Sequence, residues 1–392
     1  MSSVVMNSTG GRPAVGSVGC LSRAATIAVL VFIAVRLVVV VALVVAARES
    51  GRNAHRMLVG WDAQWYQGIA EDGYGFTRSH DGRLLSDFAF FPLYPLLERA
   101  VSALTGLRYV DAGLLISACA SGFAAWGIFA VSDHVYGPRV GVMATVLWAA
   151  LPVSVVQSMA YTESLFTALA AWSLHAVLTG RWIAAGLLAC AAGLTRPLGI
   201  AVVAAVVIPA GAWLVRSRDA APDPQARLRD LRALLAALIA PLGLLGYLGW
   251  VAGQRGDVTG YFDVASGWGN GFDGGAAFVR WIGQLLTGPV PLTGGLVVIG
   301  LAVLAVLCWM CVRDQQPMPL LIFVTLVVLL ALTTSGYFGS KPRYLLPAFP
   351  LLLPVARRLA VMPVWLTSTV LAGLTTVAAV YGTVWLLGTG PP

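Results

Sequence analysis

The sequence predicts an all-α, polytopic membrane protein, and three observations carry the prediction. Of 392 residues, 58% are hydrophobic and 11% charged, with a mean hydropathy of +0.83, which leaves too little polar surface to cover a water-soluble fold. The apolar residues come in long runs, as helices that satisfy their own backbone in lipid require. The arginines gather in the short polar steps between runs, where they set orientation across a bilayer. The net charge of +8 is therefore assigned to topology, and nucleic acid is not expected as a partner.

Residues 1–23 are polar and rich in Gly and Ser, and are expected to form a disordered cytoplasmic tail. The run at 24–47 exceeds a signal-peptide core and is kept as the first span. Further runs lie at 107–131, 140–159, 164–178, 182–194, 198–215, 231–251, 291–312, 319–334, 344–355 and 362–387. At about 20 residues per crossing these give about eleven transmembrane helices, all within one domain, 24–390. The shortest must tilt or shelter against their neighbours.

The segment FAFFPLYPLLERAVSALTG, 88–106, contains Pro92, Pro95 and the pair Glu98 and Arg99. Charges at mid-membrane cost about 3 kcal/mol each, so this segment is expected to lie on the bilayer with its aromatics down and its charges in water. The first polar loop, 48–106, then stays on one side. Arg139, Arg181, the cluster from Arg216 to Arg232, Arg313, Arg357 and Arg358 fall on the side of the N-terminus, which the positive-inside rule makes cytoplasmic. Arg48, Arg52 and Arg56 argue the other way, but the later cluster is denser. The extracytoplasmic face collects the first loop, AYTES at 160–164, TRP at 195–197, the loop 252–290 and YFGSKPR at 337–343.

On that face WDAQWY, 61–66, sets a carboxylate between two tryptophans. If 61–72 is helical, Trp61, Trp65 and Ile69 form one stripe that buries in the interface, and Asp62 and Tyr66 lie at its watery edge. Gly73 and Gly75 end the helix. An aromatic belt with an incidental acid would have the same composition.

Five segments in order, WDAQWYQGIAEDGYG (61–75), FAFFPLYPLL (88–97), AYTESLF (160–166), LTRPLG (194–199) and KPRYLLPAFPLLLP (341–354), resemble the PIG-V-like family of membrane mannosyltransferases, which belongs to the GT-C class. The resemblance implies a GT-C fold with interfacial helices in its first outer loop. It also implies inverting transfer of mannose from a polyprenyl-phosphate-mannose donor to a hydroxyl of a glycolipid or glycan acceptor, outside the plasma membrane. The acid that the family needs in its first outer loop falls on Asp62, expected to be the general base, with Trp61, Trp65, Tyr66 and Tyr161 as candidate substrate contacts.

The departing phosphate of such a donor needs a cation. Arg196, Arg343 and Lys341 are the candidates, and Arg343 ranks above Lys341 because a guanidinium meets phosphate as a fork. Other roles stay open: Arg196 suits a snorkelling arginine at a proline kink, and Lys341 with Arg343 suits a span boundary. Glu163 is either a first-turn helix acid beside Thr162 or a second carboxylate for sugar hydroxyls or a divalent ion. Trp268 and Asn270, in the loop 254–281, fit a sugar platform or a lid. The Cys and His residues show no metal-ligand spacing, so no metal site is assigned. A single lysine among abundant Ala, Val, Leu, Gly and Arg suggests a GC-rich bacterial coding sequence. The competing class is a lipid or sugar transporter or flippase, which would show internal repeats and charges at mid-depth; here the notable charges cluster at one face.

Overall fold

A computed structural model describes residues 22–80, 82–217, 224–289 and 291–388. The expected disordered tail, 1–23, lies outside these apart from Ser22 and Arg23. Helix α1 (Arg23–Glu49) is apolar throughout, and Ser22 caps it by accepting a hydrogen bond from the Ala25 amide. The first polar loop then builds a small layer: α2 (Ala54–Leu58), α3 (Asp62–Asp72), an antiparallel hairpin of β1 (Thr77–His80) and β2 (Arg83–Ser86), and α4 (Leu93–Thr105).

The remaining helices are α5 (Tyr109–Tyr136), α6 (Pro138–Ala149), α7 (Glu163–Leu178), α8 (Trp182–Gly193), α9 (Gly199–Ser217), α10 (Pro224–Ile239), α11 (Leu242–Arg255), α12 (Gly260–Gly267), α13 (Ala276–Thr287), α14 (Pro291–Arg313), α15 (Met318–Thr333), α16 (Lys341–Tyr344), α17 (Leu353–Val361) and α18 (Val364–Leu387). Their core joins α5, α6, α7, α8 and α9 through small residues. Gly243 of α11, for example, sits where a side chain would run into the Cys190 carbonyl of α8, so the two backbones touch, as membrane helices do when van der Waals packing holds them together.

Several expectations need correction. Six helices among the described residues are long and apolar enough to cross a membrane, or eight if each of two bent pairs is one span, against the eleven expected. The helices α7, α8 and α15, at 16, 12 and 16 residues, fall short by length. The run 140–159 is not one rod. Leu151 precedes Pro152 and is forced extended, so α6 stops at Ala149 and a 3-10 turn at Pro152–Ser158 leaves it at 85°. A second bend of 76° separates Phe338–Tyr344 from Phe349–Val361, within the expected span 344–355. The all-α expectation also missed the hairpin.

One arginine does lie within a run. Arg36 of α1 is buried, and its two terminal nitrogens donate to Ser154 Oγ and Ser158 Oγ, both at 2.7 Å. The bent segment therefore supplies the hydroxyls that a charge inside a span requires.

Glu98 contradicts the picture of a helix with its charges in water. It is fully buried under α4 against Gly113 of α5, whose missing side chain makes room for it. Neither carboxyl oxygen has a hydrogen-bond partner among the described residues. Burial pushes its pKa up to about 9, so the folded chain holds Glu98 as the neutral acid at pH 7. Between the ordinary carboxylate pKa and about 9 the folded state binds the extra proton, so stability is fullest in acid and falls as pH rises through this window. Glu98→Gln, neutral at every pH, is expected to be nearly silent at pH 4 and to stabilise the protein by up to about 5 kcal/mol at pH 8; melting curves at the two pH values read the difference.

Candidate active site

The helix α3 begins in strain. Trp61, immediately before it, has φ 52° and ψ −114°, a backbone region that costs a non-glycine residue about 1–3 kcal/mol. The Tyr161 hydroxyl braces this turn, accepting from the Asp62 amide and donating to the Gly60 carbonyl, each at 3.4 Å. The turn leaves Asp62 as the first helical residue, where the helix dipole favours its charge. Gly73, at φ 82°, closes the helix as expected.

From Asp62 a ladder of alternating charge runs inward. Asp62 Oδ2 meets Arg343 Nη2 at 2.6 Å, Arg343 Nε meets Glu163 Oε1 at 2.8 Å, and the same oxygen meets Arg196 Nη1 at 2.5 Å. Side-chain exposure falls from 25% at Asp62 to 8% at Arg343 and 1% at Glu163, then rises to 11% at Arg196. The ladder thus dips below the surface and returns to it. Tyrosine rings pad it: Arg343 lies 4.9 Å from the Tyr161 ring, and Arg343 and Arg196 lie 5.8 and 5.7 Å from the Tyr344 ring.

Local sequence explains each position. Glu163 opens α7, but Thr162 does not cap that helix through its side chain; its hydroxyl lies 3.3 Å from the Tyr66 hydroxyl instead. Glu163 is therefore more than a first-turn acid, because it holds two guanidiniums. Arg196 occupies the proline-broken step between α8 and α9 and turns inward to Glu163, which removes the snorkelling alternative. Lys341 and Arg343 are two apart on α16 and diverge. Arg343 joins the ladder, whereas the Lys341 ammonium donates to the Thr334 carbonyl and lies 5.5 and 5.6 Å from the rings of Phe278 and Phe338, away from the cavity wall.

The aromatic stripe also differs from expectation. Trp65 and Ile69 face protein rather than lipid, and Tyr66 is buried rather than at a watery edge; burial pushes the Tyr66 hydroxyl pKa upward and keeps it neutral. Trp65 stacks on Phe90 at 5.4 Å and on Phe76 at 5.6 Å, with Trp268 edge-on at 4.9 Å. Trp268 is pinned in turn by its indole N–H, which donates to the Ser86 carbonyl at 3.0 Å.

All of this borders one cavity of about 1860 Å³. Trp61, Asp62, Trp65, Tyr66, Arg196 and Arg343 line one part of it and Trp268 and Asn270 another, while Tyr161 and Glu163 stand behind the wall. Leu198 and Ile200 at the start of α9, with Leu330 and Ala331 near the end of α15, give the cavity an apolar margin at two membrane-apolar helices. Such a volume exceeds the roughly 300–1,000 Å³ of ordinary small-molecule sites. Among the described residues no three His, Cys, Asp or Glu side chains gather as a metal site. The sequence reading missed Tyr344, although it lies inside the KPRYLL segment, and the hairpin arginines Arg78 and Arg83, which also line the cavity.

Known structures share this architecture. ArnT from Cupriavidus metallidurans, solved bound to undecaprenyl phosphate, matches with a TM-score of 0.54 at 17% identity, covering 90% of this chain and 63% of that one. The same protein in the apo state gives 0.53 at 17% identity, with 89% and 63% covered. The chain shares the fold of ArnT. The chain spans 63% of the ArnT chain it matches. A weaker likeness, TM-score 0.48 at 11% identity over 93% of this chain and 56% of the other, is to the oligosaccharyltransferase of Archaeoglobus fulgidus. No family model and no curated protein matches the sequence.

Within this fold Glu163 is the keystone of the charge ladder. Replacing it with Gln leaves two buried guanidiniums sharing one carboxylate, and is expected to destabilise the protein by about 3–5 kcal/mol. Removing Arg196 as well, in Glu163→Gln/Arg196→Gln, restores the balance of charge and is expected to recover part of the loss, measured by thermal unfolding of the detergent-solubilised variants.

Proposed function

We propose that the chain is an inverting glycosyltransferase that moves mannose from a polyprenyl-phosphate-mannose donor to a hydroxyl of a glycolipid or glycan acceptor on the extracytoplasmic side of a bacterial plasma membrane. One observation carries the reading: a carboxylate and two guanidiniums meet on the wall of a cavity whose margin is apolar at one span, α9, and at the shorter apolar helix α15. A donor of this kind has a long hydrocarbon tail, one phosphate and one sugar, and the cavity offers apolar surface, cation and hydrogen-bonding groups in one space. Its size leaves room for a second substrate. The five ordered motifs supply the choice of mannose.

In this mechanism the acceptor hydroxyl lies within about 2.6–3.2 Å of an Asp62 oxygen. Asp62 takes the hydroxyl proton as the oxygen attacks the anomeric carbon. The new bond to carbon forms as the bond from that carbon to the phosphate oxygen breaks, and polyprenyl phosphate leaves as an anion. A single displacement inverts the anomeric centre. Arg343 and Arg196 receive the departing charge. A phosphate beside them competes with Asp62 and Glu163 for the same guanidiniums, so donor binding loosens Arg343 from Asp62 and frees the carboxylate for its proton. Helix chemistry fits this orientation: α9 starts at the cavity with Leu198 and Ile200 and ends at Arg216, where an arginine belongs on a cytoplasmic face.

Asp62→Asn keeps the size of the side chain and loses the base. Transfer of mannose from polyprenyl-phosphate-mannose by purified protein is expected to fall by about 10²–10⁴, with donor binding kept. Wild-type turnover in this variant would remove Asp62 from the chemistry, and substrate counterflow in liposomes without any glycosylated product would favour a transporter.

A further inference from the structure

The charge ladder sums to zero, yet the cavity does not. Arg52, Arg56, Arg78 and Arg83 also line it, none of them ion-paired among the described residues, and Asp62 is the one acid of the described lining. Arg52 donates to the Leu387 carbonyl at the end of α18, at 2.6 Å, so it ties the α1–α2 turn to that helix. Arg78 and Arg83 are placed differently.

The hairpin register pairs Arg78 with Leu85 and His80 with Arg83, so Arg78, Arg83 and Leu85 project from one face, and all three border the cavity. Diagonal neighbours in such a pair stand about 7–8 Å apart. Two like charges on one face at that spacing repel, and no carboxylate of the described residues relieves them. Arg78 is nevertheless held in place, 4.9 Å from the Trp65 ring and 5.1 Å from the Phe76 ring, a stacked position that suits a guanidinium. Arg83 reaches the loop that carries Trp268 and Asn270: a side-chain carbon on Gly269 would lie 3.6 Å from its Nη1. Two forks on one hairpin face, one of them stacked on Trp65 and Phe76, form a receptor for an oxyanion.

The donor does not need it. Its single phosphate adjoins the carbon under attack and is served by Arg196 and Arg343, beside the apolar margin that suits its tail. Trp65 lies one helical turn beyond Asp62 on α3, so the Arg78 guanidinium over Trp65 and the Asp62 carboxylate stand on neighbouring parts of one cavity wall, where a sugar that carries a phosphate could meet both.

We propose that the acceptor is an anion, whose phosphate group is gripped by Arg78 and Arg83 of the hairpin while its hydroxyl meets Asp62. This rests on the transferase reading above and narrows it to a phosphate-bearing acceptor.

The test titrates glucose 6-phosphate against glucose into purified protein and follows tryptophan fluorescence, because Arg78 lies on Trp65. Wild type is expected to bind the phosphorylated sugar about tenfold or more tightly than the neutral one. The advantage should vanish in Arg78→Gln/Arg83→Gln, return in part in Arg78→Lys/Arg83→Lys, and persist in Arg52→Gln/Arg56→Gln, each variant being shown to be folded by its melting curve. Equal binding of both sugars to wild type, or a preference that survives Arg78→Gln/Arg83→Gln, overturns the proposal. So does loss of undecaprenyl phosphate binding in Arg78→Gln/Arg83→Gln in nanodiscs, since the hairpin would then serve the donor. A phosphate preference in a protein that transfers no sugar separates the two readings: the anion site stands and the transferase falls.

Discussion

A carboxylate with 1% of its side chain exposed must find positive charge, and Glu163 finds two guanidiniums. An unpaired ion at that depth would be costly enough to unfold or neutralise the site, so this one contact dictates where distant segments meet. Glu163 opens α7, Arg196 breaks the chain between α8 and α9, and Arg343 belongs to the short helix after α15. Asp62 arrives from the first polar loop and completes the set. Sequence separations of 281 residues between Asp62 and Arg343 are bridged because each charge is stable only in the company of the others.

The same pairing explains why the site stands at broken helices. A continuous α-helix offers only its side chains to a cavity, whereas Pro197 after Arg196, Pro342 before Arg343 and the strained Trp61 before Asp62 interrupt the backbone beside each charged residue. Breaks of this kind are tolerated at membrane depth where protein or a water-filled cavity covers them. Tyr161 shows the coupling at close range. Its hydroxyl braces the strained turn while its ring lies against Arg343, so the conformation of the loop and the position of the cation depend on one side chain.

Much of this was legible in the sequence, and the failures have physical causes. Asp62 stood out through the resemblance of its motif, Arg196 and Arg343 as cations for a departing phosphate, and Glu163 as an acid at the start of a span whose role was left open. What could not be read was pairing. Nothing local says that Glu163 prefers Arg196 and Arg343 to a helix cap, or that Lys341, two residues from Arg343, turns away into an aromatic box. The bend after Ala149 was available from Pro152 and the residue before it. Burial of Glu98 was not, because it depends on Gly113 in another helix. The amphipathic stripe of α3 was recognised, but its partner was assigned to lipid when Phe76, Phe90 and Trp268 occupy that place. Periodicity reveals that a face is buried and is silent about what buries it.

That misassigned stripe has a consequence for how the cavity works. Had Trp65 faced lipid, α3 would float on the bilayer and Asp62 would move with it. Packed instead between Phe76, Phe90 and Trp268, the helix is fixed through its first turn, by Tyr161 at Asp62 and by the ring stack at Trp65. Trp268 belongs to a segment whose other ties run to α15, through Ser335 and the bridge between Phe272 and Thr334. The loop 254–281 therefore acts less as a free lid than as a strut between the first polar loop and the membrane helices. A rigid wall of this kind suits the proposed transfer, in which position would do most of the work: an acceptor oxygen and an anomeric carbon held in line raise the effective concentration by orders of magnitude without further chemistry, and would leave to Asp62 the single task of taking a proton.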